Sequence, residues 1–446
     1  MKLWLVLLLG AAAMSAPLYA EAPKSVDNAA ELSAFDLAKV DIKGVVVPGK
    51  VSFSPGEEMI FEISVDFGGQ TAPQQYSLTW QRTGDDGKTV KGSSGIAPGK
   101  TVIIKTSMDK PGFVYIKGNL VDSQGKNVVK TVQQWGTNAQ QALGFDGGAG
   151  VDIDKMVQAV PEPADFDAYW INQKKLLNAV PVKATMVKVS KEGTPVDVFA
   201  VSVDCSGPRP VSGYLTIPAK AADKSLPAVV SYQGYGTTVQ QPPPGDNPNA
   251  IRFMVNAHGY DLGKDKAYYE KFFNGIKSNG KSYGADPIQN AKPETAYFNG
   301  MVLRVMRSLQ FIKTLPQWDG KNLTAEGGSQ GGMQTMWAAG LDSDVSLAQM
   351  SITGGCDMGG STIGRLKGWI PDWIPTFGYF DSVNHAKRIK CPVDITRVGL
   401  GDYTCPPSGI AISYNVIKAP KKIHYVQGST HGFIPKNPQV MDMKAK

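Results

Sequence analysis

The sequence predicts an α/β protein with a doubly wound, mainly parallel sheet, preceded by a small all-β sandwich domain. Three observations support this. Short apolar runs alternate at period two up to about residue 135. After Pro161, strand-like and helix-like segments alternate along the sequence. A G-x-S-x-G motif lies between an apolar segment and a helix-compatible one, which is where a nucleophile stands in one group of α/β proteins.

Length and composition indicate a globular protein of two or three domains. The chain has 446 residues, of which 42% are hydrophobic and 19% charged, so it can bury substantial cores. The formal net charge is +7, but lysine and arginine form no cluster along the sequence. Because nucleic-acid binding needs such a cluster, nucleic acid is not expected as a partner.

The first twenty residues are typical of a secretory signal peptide. Lys2 supplies the positive end, residues 3–14 are apolar, and the segment 17–20 offers a cleavage site before Glu21. The alternative is an uncleaved membrane anchor. No other stretch is long and apolar enough to cross a bilayer. We therefore expect a secreted or periplasmic protein with no membrane contact after signal cleavage.

The cysteines permit two disulfides in an exported protein without requiring any or fixing their pairing. There is no C-x-x-C and no cysteine–histidine cluster with zinc spacing, so the sequence shows no zinc motif. The four cysteines are Cys205, Cys356, Cys391 and Cys405.

Residues 21–143 are predicted to form an immunoglobulin-like sandwich. Its strand signals are apolar runs with alternating polar residues, broken by Gly, Pro and Asp. The clearest runs lie at 59–65, 76–80, 101–104 and 113–116. Trp80 is the candidate core tryptophan. The Gly-rich segment that follows predicts a linker over 144–160.

Residues 161–446 are predicted to form the α/β domain. Buried strands are expected at 226–232, 393–400 and 423–426, where short apolar runs occur. Apolar residues recur at helical spacing over 297–313. A Gly- and Trp-rich segment between Ser351 and Arg388 is expected to cover the carboxyl edge of the sheet.

The candidate nucleophile is Ser329, in the run G-G-S-Q-G-G at residues 327–332. The preceding 322–325 predicts a strand and the following 333–340 a helix, so the serine stands on a tight strand-to-helix turn. Glycines flank it because such a turn leaves no room for a Cβ. A second G-x-S-x-G at 280–284 has polar flanks and predicts only a loop.

The candidate base is His431. A serine hydroxyl needs a base within hydrogen-bond reach, and the base needs an orienting acid. In α/β-hydrolases these follow in the order serine, acid, histidine. His431 stands in a loop after the last predicted strand, where this fold keeps catalytic groups. The other histidines are expected in a loop, in the cover region and within a strand: His258, His385 and His424.

The candidate acid is Asp402, which follows the penultimate predicted strand. It lies after the serine and before the histidine, as the chain order requires. Asp357 and Asp381 remain competitors. The alternative role of any such aspartate is a turn or a helix cap.

Acyl transfer also needs backbone donors for the oxyanion. One is expected to be the N–H of Gln330, immediately after the candidate nucleophile. The other is expected from the loop after an earlier strand, and the segment Q-G-Y-G at 233–236 is well placed. The alternative for that segment is a simple Gly-rich turn.

Taken together, these segments resemble the acetyl xylan esterase / cephalosporin-C deacetylase family, the seventh carbohydrate-esterase family. The matching blocks are G-G-S-Q-G-G at 327–332, G-L-G-D-Y-T-C-P-P-S at 399–408, residues 411–415 and His431. The helix before the elbow and the Gly-Tyr pair at 234–235 match as well. The likeness extends from about Pro161 to Phe433.

This resemblance implies an α/β-hydrolase whose triad is Ser329, Asp402 and His431. It implies that the N–H groups of Tyr235 and Gln330 hold the oxyanion. It further implies an acetylated carbohydrate as the substrate, no metal or organic cofactor, and a homo-oligomer as an assembly to test.

The sequence departs from the family pattern at two places. Where the family usually carries Arg-Gly-Gln, residues 257–260 read A-H-G-Y, and His431 is followed by glycine instead of glutamate. Neither change replaces a residue of the triad. Both changes bear on substrate range and on assembly. The N-terminal sandwich is an addition to the usual single-domain members.

The sequence therefore predicts a secreted serine esterase that removes O-acetyl groups from polysaccharide or oligosaccharide through an acetyl-enzyme. One alternative is another acyl chemistry at the same site, such as feruloyl-ester or peptide cleavage. A second is a non-catalytic carbohydrate-binding protein. For the sandwich, glycan binding, assembly and a spacer role all remain open.

Overall fold

The computed structural model of the chain describes residues 36–71, 76–97, 99–134, 137–245 and 247–443. The predicted signal peptide at 1–20 lies outside these residues. Within them, no helix is both long and apolar enough to span a membrane.

The N-terminal unit is built entirely of β-strands apart from a short 3-10 turn at Leu37–Lys39. Strands β1, β3 and β6 form an antiparallel sheet, a second sheet has the order β2-β10-β7-β4-β5, and β8 and β9 form a hairpin. The strands are β1 Asp41–Val47, β2 Ser52–Phe53, β3 Met59–Asp66, β4 Ser77–Gly84, β5 Val90–Gly95, β6 Thr101–Thr106, β7 Gly112–Val121, β8 Val129–Gln134, β9 Thr137–Ala142 and β10 Gly144–Val151.

The two larger sheets of this unit face each other. Phe61 and Ile63 of β3 are buried together with Phe113 of β7 in one apolar cluster, as the period-two alternation predicts. A Cβ on Gly44 of β1 would overlap the ring of Phe145 on β10, so the sheets approach closely there. Trp80 is half-buried, and its ring lies against Gly92 of the neighbouring strand.

The Gly-rich segment predicted to be a linker over 144–160 is instead part of the fold. Its first half is β10, which lies inside the five-stranded sheet and pairs antiparallel with β7 and parallel with β2. A 3-10 turn at Ile153–Lys155 follows. The glycines are needed for close packing: a Cβ on Gly148 would come within 2.5 Å of the Val114 carbonyl oxygen. The prediction missed this because glycines at a packed interface and in a linker look alike in sequence.

The remaining strands form one ten-stranded sheet with the order β11-β12-β13-β15-β14-β16-β17-β18-β19-β20. Strands β14 to β19 run parallel, and antiparallel strands flank them on both sides. The strands are β11 Ala184–Lys188, β12 Val196–Val203, β13 Val211–Pro218, β14 Leu226–Tyr232, β15 Ile251–Val255, β16 Trp318–Gly328, β17 Leu347–Ser351, β18 Val393–Gly399, β19 Lys421–Val426 and β20 Val440–Asp442.

Helices connect the parallel strands, as the sequence pattern predicts. The longest is almost wholly buried, which explains its apolar residues at helical spacing. The helices are α1 Phe166–Asn178, α2 Lys266–Gly275, α3 Tyr297–Ile312, α4 Gln330–Leu341, α5 Ser382–Ala386 and α6 Pro407–Val416. The Gly- and Trp-rich segment between Ser351 and Arg388 contains 3-10 turns at Gly360–Ile363 and Pro375–Tyr379 before α5. The predicted fold class, a mainly parallel doubly wound sheet after a small β-rich unit, is confirmed.

One apolar cluster runs through both units. It joins Phe113 and Tyr115 of the five-stranded sheet to Tyr425 of β19. The rings of Phe113 and Tyr425 are 6.2 Å apart. The N-terminal unit is therefore packed against the α/β sheet at the strands that carry the candidate acid and base.

Candidate active site

Ser329 stands on the turn between β16 and α4, with φ 58° and ψ −122°. A non-glycine residue with positive φ is strained, and such strain persists where surrounding contacts over-determine it. The Ser329 N–H donates to the Ser351 carbonyl at 3.0 Å, and its carbonyl accepts from Gly354 N–H at 2.9 Å. A Cβ on Gly331 would overlap the Tyr232 carbonyl oxygen. The elbow that the motif predicts is thus formed.

Asp402 and His431 meet after β18 and β19. Asp402 is fully buried, and its Oδ2 lies 2.9 Å from His431 Nδ1. Its Oδ1 accepts the backbone N–H groups of Thr404 and Cys405, each at 2.9 Å. Both carboxylate oxygens are therefore engaged, and the carboxylate orients the imidazole so that Nε2 is directed away from it.

Cys405 connects this pair to the serine. Its thiol lies 3.9 Å from Ser329 Oγ, and its backbone N–H holds Asp402. Burial, and then the nearby Asp402 carboxylate, raise the pKa of the Cys405 thiol well above its ordinary value, so the thiol stays neutral. Among the described residues, no hydrogen bond joins Ser329 Oγ to His431. Catalytic hydrogen bonds are often long in ligand-free sites and shorten only when substrate binds.

The loop after β14 faces the elbow, and the side chain of Gln330 holds it there. Gln330 Nε2 donates to the Gly234 carbonyl at 3.3 Å, and its Oε1 accepts from Tyr283 Oη at 3.2 Å. In a trans peptide the N–H points opposite to the carbonyl, so fixing the Gly234 carbonyl also fixes the N–H of Tyr235. The backbone N–H groups of Tyr235 and Gln330 donate to no group that the structure describes.

His258, from the segment that departs from the family pattern, supports the same loop. Its Nε2 lies 2.8 Å from the Gly236 carbonyl, and its Nδ1 lies 2.7 Å from Tyr297 Oη. Because a carbonyl only accepts, Nε2 carries the proton and the tyrosine donates to Nδ1. Burial lowers the pKa of His258 to about 3. This histidine is a neutral structural group.

The two other histidines also lie outside the site. His385 is buried, with Nε2 3.0 Å from the Tyr379 carbonyl, and burial lowers its pKa to about 3. His424 is held at the surface by Asp442, 2.7 Å from its Nδ1. Among the described residues, His431 is the one histidine that lies at a buried carboxylate near the elbow.

The competing acids have structural roles. Asp357 forms an ion pair with Arg365 at 2.6 Å. Asp381 caps α5 by accepting the N–H of Val383 at 2.9 Å. Burial, and then the charge of Asp357, raise the pKa of Asp381 to about 7. Neither aspartate bonds to a histidine side chain among the described residues.

Aromatic rings border the elbow. The Tyr235 ring stacks on Tyr283 with centroids 4.6 Å apart and lies 4.9 Å from the Trp369 ring. A Cβ on Gly354, whose N–H binds Ser329, would come within 3.1 Å of Trp369 Nε1. The Trp369 ring therefore lies beside the residue whose N–H binds the Ser329 carbonyl.

All four cysteines are free thiols. The described part of the chain has no group of three or more His, Cys, Asp or Glu side chains that could hold a metal ion.

A family model described as "Acetyl xylan esterase (AXE1)" matches residues 152–353 and 371–444. These two stretches make up more than half of the chain and include the elbow, Asp402 and His431.

The chain belongs to the acetyl xylan esterase family. It is therefore a hydrolase of the esterase class, and membership supports action on acetylated carbohydrate.

A curated relative is similar over nearly the whole chain. The acetyl esterase Axe7A of Xylanibacter ruminicola is 28% identical over 409 residues, which are 86% of this chain and 85% of the relative. This alignment is longer than the family match and includes much of the N-terminal unit.

Two solved acetyl xylan esterases share the fold. The enzyme from Paenibacillus sp. R4 superposes with a TM-score of 0.53 at 24% identity, covering 64% of this chain and 94% of its own. Acetyl xylan esterase 1 from Thermoanaerobacterium sp. gives 0.52 at 19% identity, covering 64% and 93%. Each superposition thus leaves about a third of this chain uncovered.

Several residues that shape this candidate site were not predicted from the sequence. Tyr283 lies in the second G-x-S-x-G, which forms a loop as predicted but also supplies the hydroxyl that binds Gln330. Trp369 lies in 354–370, which the family match omits. The Tyr283 position could have been suspected from an aromatic residue within a Gly-flanked loop. Trp369 lies in the Gly- and Trp-rich segment that was expected to cover the carboxyl edge of the sheet, but the sequence did not single out this tryptophan.

Proposed function

We propose that the protein is a secreted or periplasmic serine esterase that removes O-acetyl groups from polysaccharide or oligosaccharide through an acetyl-enzyme intermediate. The observation that carries the proposal is the 2.9 Å contact between buried Asp402 and His431, at the sheet edge where Ser329 stands on a strained elbow. Membership of the acetyl xylan esterase family supports acetylated carbohydrate as the substrate class.

In the first half-reaction, His431 Nε2 takes the proton of Ser329 Oγ as the oxygen attacks the acetyl carbonyl carbon. The Oγ–C bond forms, and the carbonyl electron pair moves onto oxygen. When the tetrahedral intermediate collapses, the ester C–O bond breaks and His431 gives the proton to the departing sugar hydroxyl. Asp402 stabilises the imidazolium and holds its tautomer through Nδ1.

The second half-reaction uses the same groups. Water gives a proton to His431 and attacks the acetyl-enzyme carbonyl. A second tetrahedral intermediate collapses, the acyl–Oγ bond breaks, and Ser329 recovers its proton while acetic acid departs as acetate. In both halves the N–H groups of Tyr235 and Gln330 would stabilise the oxyanion. Their freedom from other partners in the described chain suits that role.

The similar proteins favour an acetyl group over a feruloyl group. The matching family model is described as acetyl xylan esterase, and the relative Axe7A is an acetyl esterase. A feruloyl group carries an aromatic ring and needs a longer apolar groove than an acetyl group. We therefore place deacetylation ahead of feruloyl-ester cleavage at this site.

The decisive experiment compares acetate release from acetylated xylo-oligosaccharides by the wild type and Ser329→Ala. We expect the variant to lose activity by about 10⁵-fold or more, because the acid and the base cannot act on the ester without the serine nucleophile. The control is Ser343→Ala, an exposed serine in the turn after α4, which is expected to keep the wild-type activity. Wild-type acetate release by Ser329→Ala would refute the mechanism. Ferulate release without acetate release would support the alternative acyl chemistry. A wild type that is inactive on all esters would support the alternative of a non-catalytic carbohydrate-binding protein.

Export is tested separately. The sequence supports cleavage after Ala20, so the mature protein is expected to begin at Glu21. Amino-terminal sequencing of the protein recovered outside the cytoplasm checks this. An intact amino terminus on membrane-bound protein would instead support the uncleaved anchor.

A further inference from the structure

Strand β10 of the N-terminal unit lies directly against the loop that carries the candidate acid. A Cβ on Gly401 would overlap the carbonyl of Asp146, and a Cβ on Gly148 would come within 3.1 Å of the Leu400 carbonyl oxygen. These glycines allow two backbones to approach without side chains between them. The Gly-rich run of β10 is therefore shaped to fit the Asp402 loop.

Gln427 joins the same strand to the loop that carries the candidate base. Its Oε1 accepts the Gly148 N–H at 3.0 Å, and its Nε2 donates to the Gly148 carbonyl at 2.8 Å. The side chain is 1% exposed, so both bonds are shielded from water. The amide thus pairs with β10 as a neighbouring strand would, four residues before His431.

The two loops are also tied to each other. Gly401 N–H donates to the Ser429 carbonyl at 3.0 Å, and Leu400 N–H to the Val426 carbonyl at 3.1 Å. Next to the candidate acid, Tyr403 Oη donates to the Ile116 carbonyl of β7 at 3.0 Å. Displacing either loop from the N-terminal sheet would therefore displace the other.

We propose that the N-terminal β-sheet is a positioning element of the active site, which acts through Gln427 and Tyr403 to hold Asp402 and His431 in register. This inference rests on the proposed function and adds a role for a region that the family match omits, because that match begins at residue 152, just after β10. Gln427 and Tyr403 contact no reacting atom in the proposed mechanism, so both are positioning residues.

The physical reason lies in how steeply catalysis depends on position. Without the Gln427 amide, the Gly148 N–H and carbonyl would be buried without partners, and the interface would separate to admit water. A shift of about 1 Å in a catalytic group can lower the rate about 100-fold. A spacer or an independent glycan-binding module would have no such effect on the chemical step.

The test uses the full chain with Gln427→Met, which keeps the side-chain shape but removes both hydrogen bonds. The matched control is Gln439→Met. Gln439 makes the same two-bond clamp to the N-terminal unit, at Val46, with both distances 3.0 Å. It lies after the His431 loop, next to β20, so it shares the docking role without standing at the start of that loop.

For Gln427→Met we expect kcat for acetate release to fall by about tenfold or more, with KM within about twofold of wild type. Gln439→Met is expected to lower the melting temperature while keeping the wild-type kcat and KM.

Tyr403→Phe is a second, independent variant that loses only the hydroxyl bonded to Ile116, and its kcat is expected to fall in the same way. If Gln427→Met does not fold, the kcat of Tyr403→Phe tests the proposal by itself. Wild-type kcat in whichever of these variants folds would overturn the proposal, as would an equal loss of kcat in Gln439→Met. A wild type with no activity dependent on Ser329 would instead refute the proposed function, which separates the two failures.

Discussion

Asp402 Oδ2 lies 2.9 Å from His431 Nδ1, although the two residues stand on different loops. They meet because the parallel strands β18 and β19 end at the same edge of the sheet. The carboxylate has one oxygen for the imidazole and the other for two backbone N–H groups. Because the Oδ1 atom is occupied by backbone donors, Oδ2 is the atom that accepts the hydrogen bond from His431 Nδ1, and a change of acceptor to donor there would break the pair.

Asp402→Asn is expected to lower kcat by about 10⁴-fold with little loss of stability, as the same change does in the serine protease triad. The amide oxygen would stay on the two backbone N–H groups, so the NH₂ group would face His431 Nδ1. The imidazole would then carry its proton on Nε2, where the base is needed. Kinetics of acetate release and a melting curve measure the two effects.

The control for that variant is Asp442→Asn. Asp442 also contacts a histidine, His424, at 2.7 Å, but at the surface. Its replacement is expected to leave kcat unchanged. Equal losses in both variants would contradict the role proposed for Asp402.

Gln330→Met is expected to lower kcat by about tenfold with KM nearly unchanged, less than the 10²- to 10³-fold loss of a whole oxyanion donor. The backbone N–H of residue 330 remains, but the Gly234 carbonyl loses its partner, so the N–H of Tyr235 is held less firmly. Steady-state kinetics on a small acetyl ester measure this. Gln310→Met on α3, whose amide donates to Asn178, is the matched control. A rise in KM alone would point to ground-state binding instead.

Gly331→Ala is expected to destabilise the fold by about 1–3 kcal/mol or more, because the new Cβ overlaps a backbone oxygen that cannot rotate away. The elbow shifts with it, so activity should fall as well. Gly328→Ala is the control: its Cβ would lie 3.1 Å from Ser351 Oγ, a hydroxyl that can turn. Urea unfolding of both variants tests the ranking, and equal losses would argue against a tight elbow.

His385→Phe is expected to make folding less sensitive to acid. Burial lowers the pKa of His385 to about 3, whereas the unfolded chain titrates at the ordinary value of about 6.5. Between these values the unfolded state binds a proton that the folded state does not, so acidification lowers the free energy of unfolding. Removing this group recovers about 2 kcal/mol between pH 8 and pH 5.

The measurement is the difference in free energy of unfolding between wild type and His385→Phe, from urea titrations at both pH values. Other buried groups, such as Asp381, are present in both proteins and cancel in the difference. The loss of the hydrogen bond to Tyr379 is expected to cost about 1 kcal/mol at either pH. A difference that does not change with pH would contradict the assignment.

Much of the site could be read from the chain because its signals are local. The elbow at Ser329 follows from glycine spacing between a strand and a helix. Asp402 and His431 follow from chain order and from their places after strands. Each signal reflects a short-range constraint, either backbone crowding at a turn or the shared edge of parallel strands. The same local logic failed at 144–160, where glycines mark close packing instead of a linker.

By itself, then, the sequence determined the α/β class, the turn at the candidate nucleophile and the chain order of the candidate acid and base. Tertiary structure alone decided that β10 lies against the Asp402 and His431 loops, that Gln427 ties it there, and that Tyr283 and His258 support the loop after β14. Gly148 and Gln427 are 279 residues apart in the chain. A contact over that separation imposes neither periodicity nor spacing on the sequence, because only the packing of two complete sheets brings its atoms together.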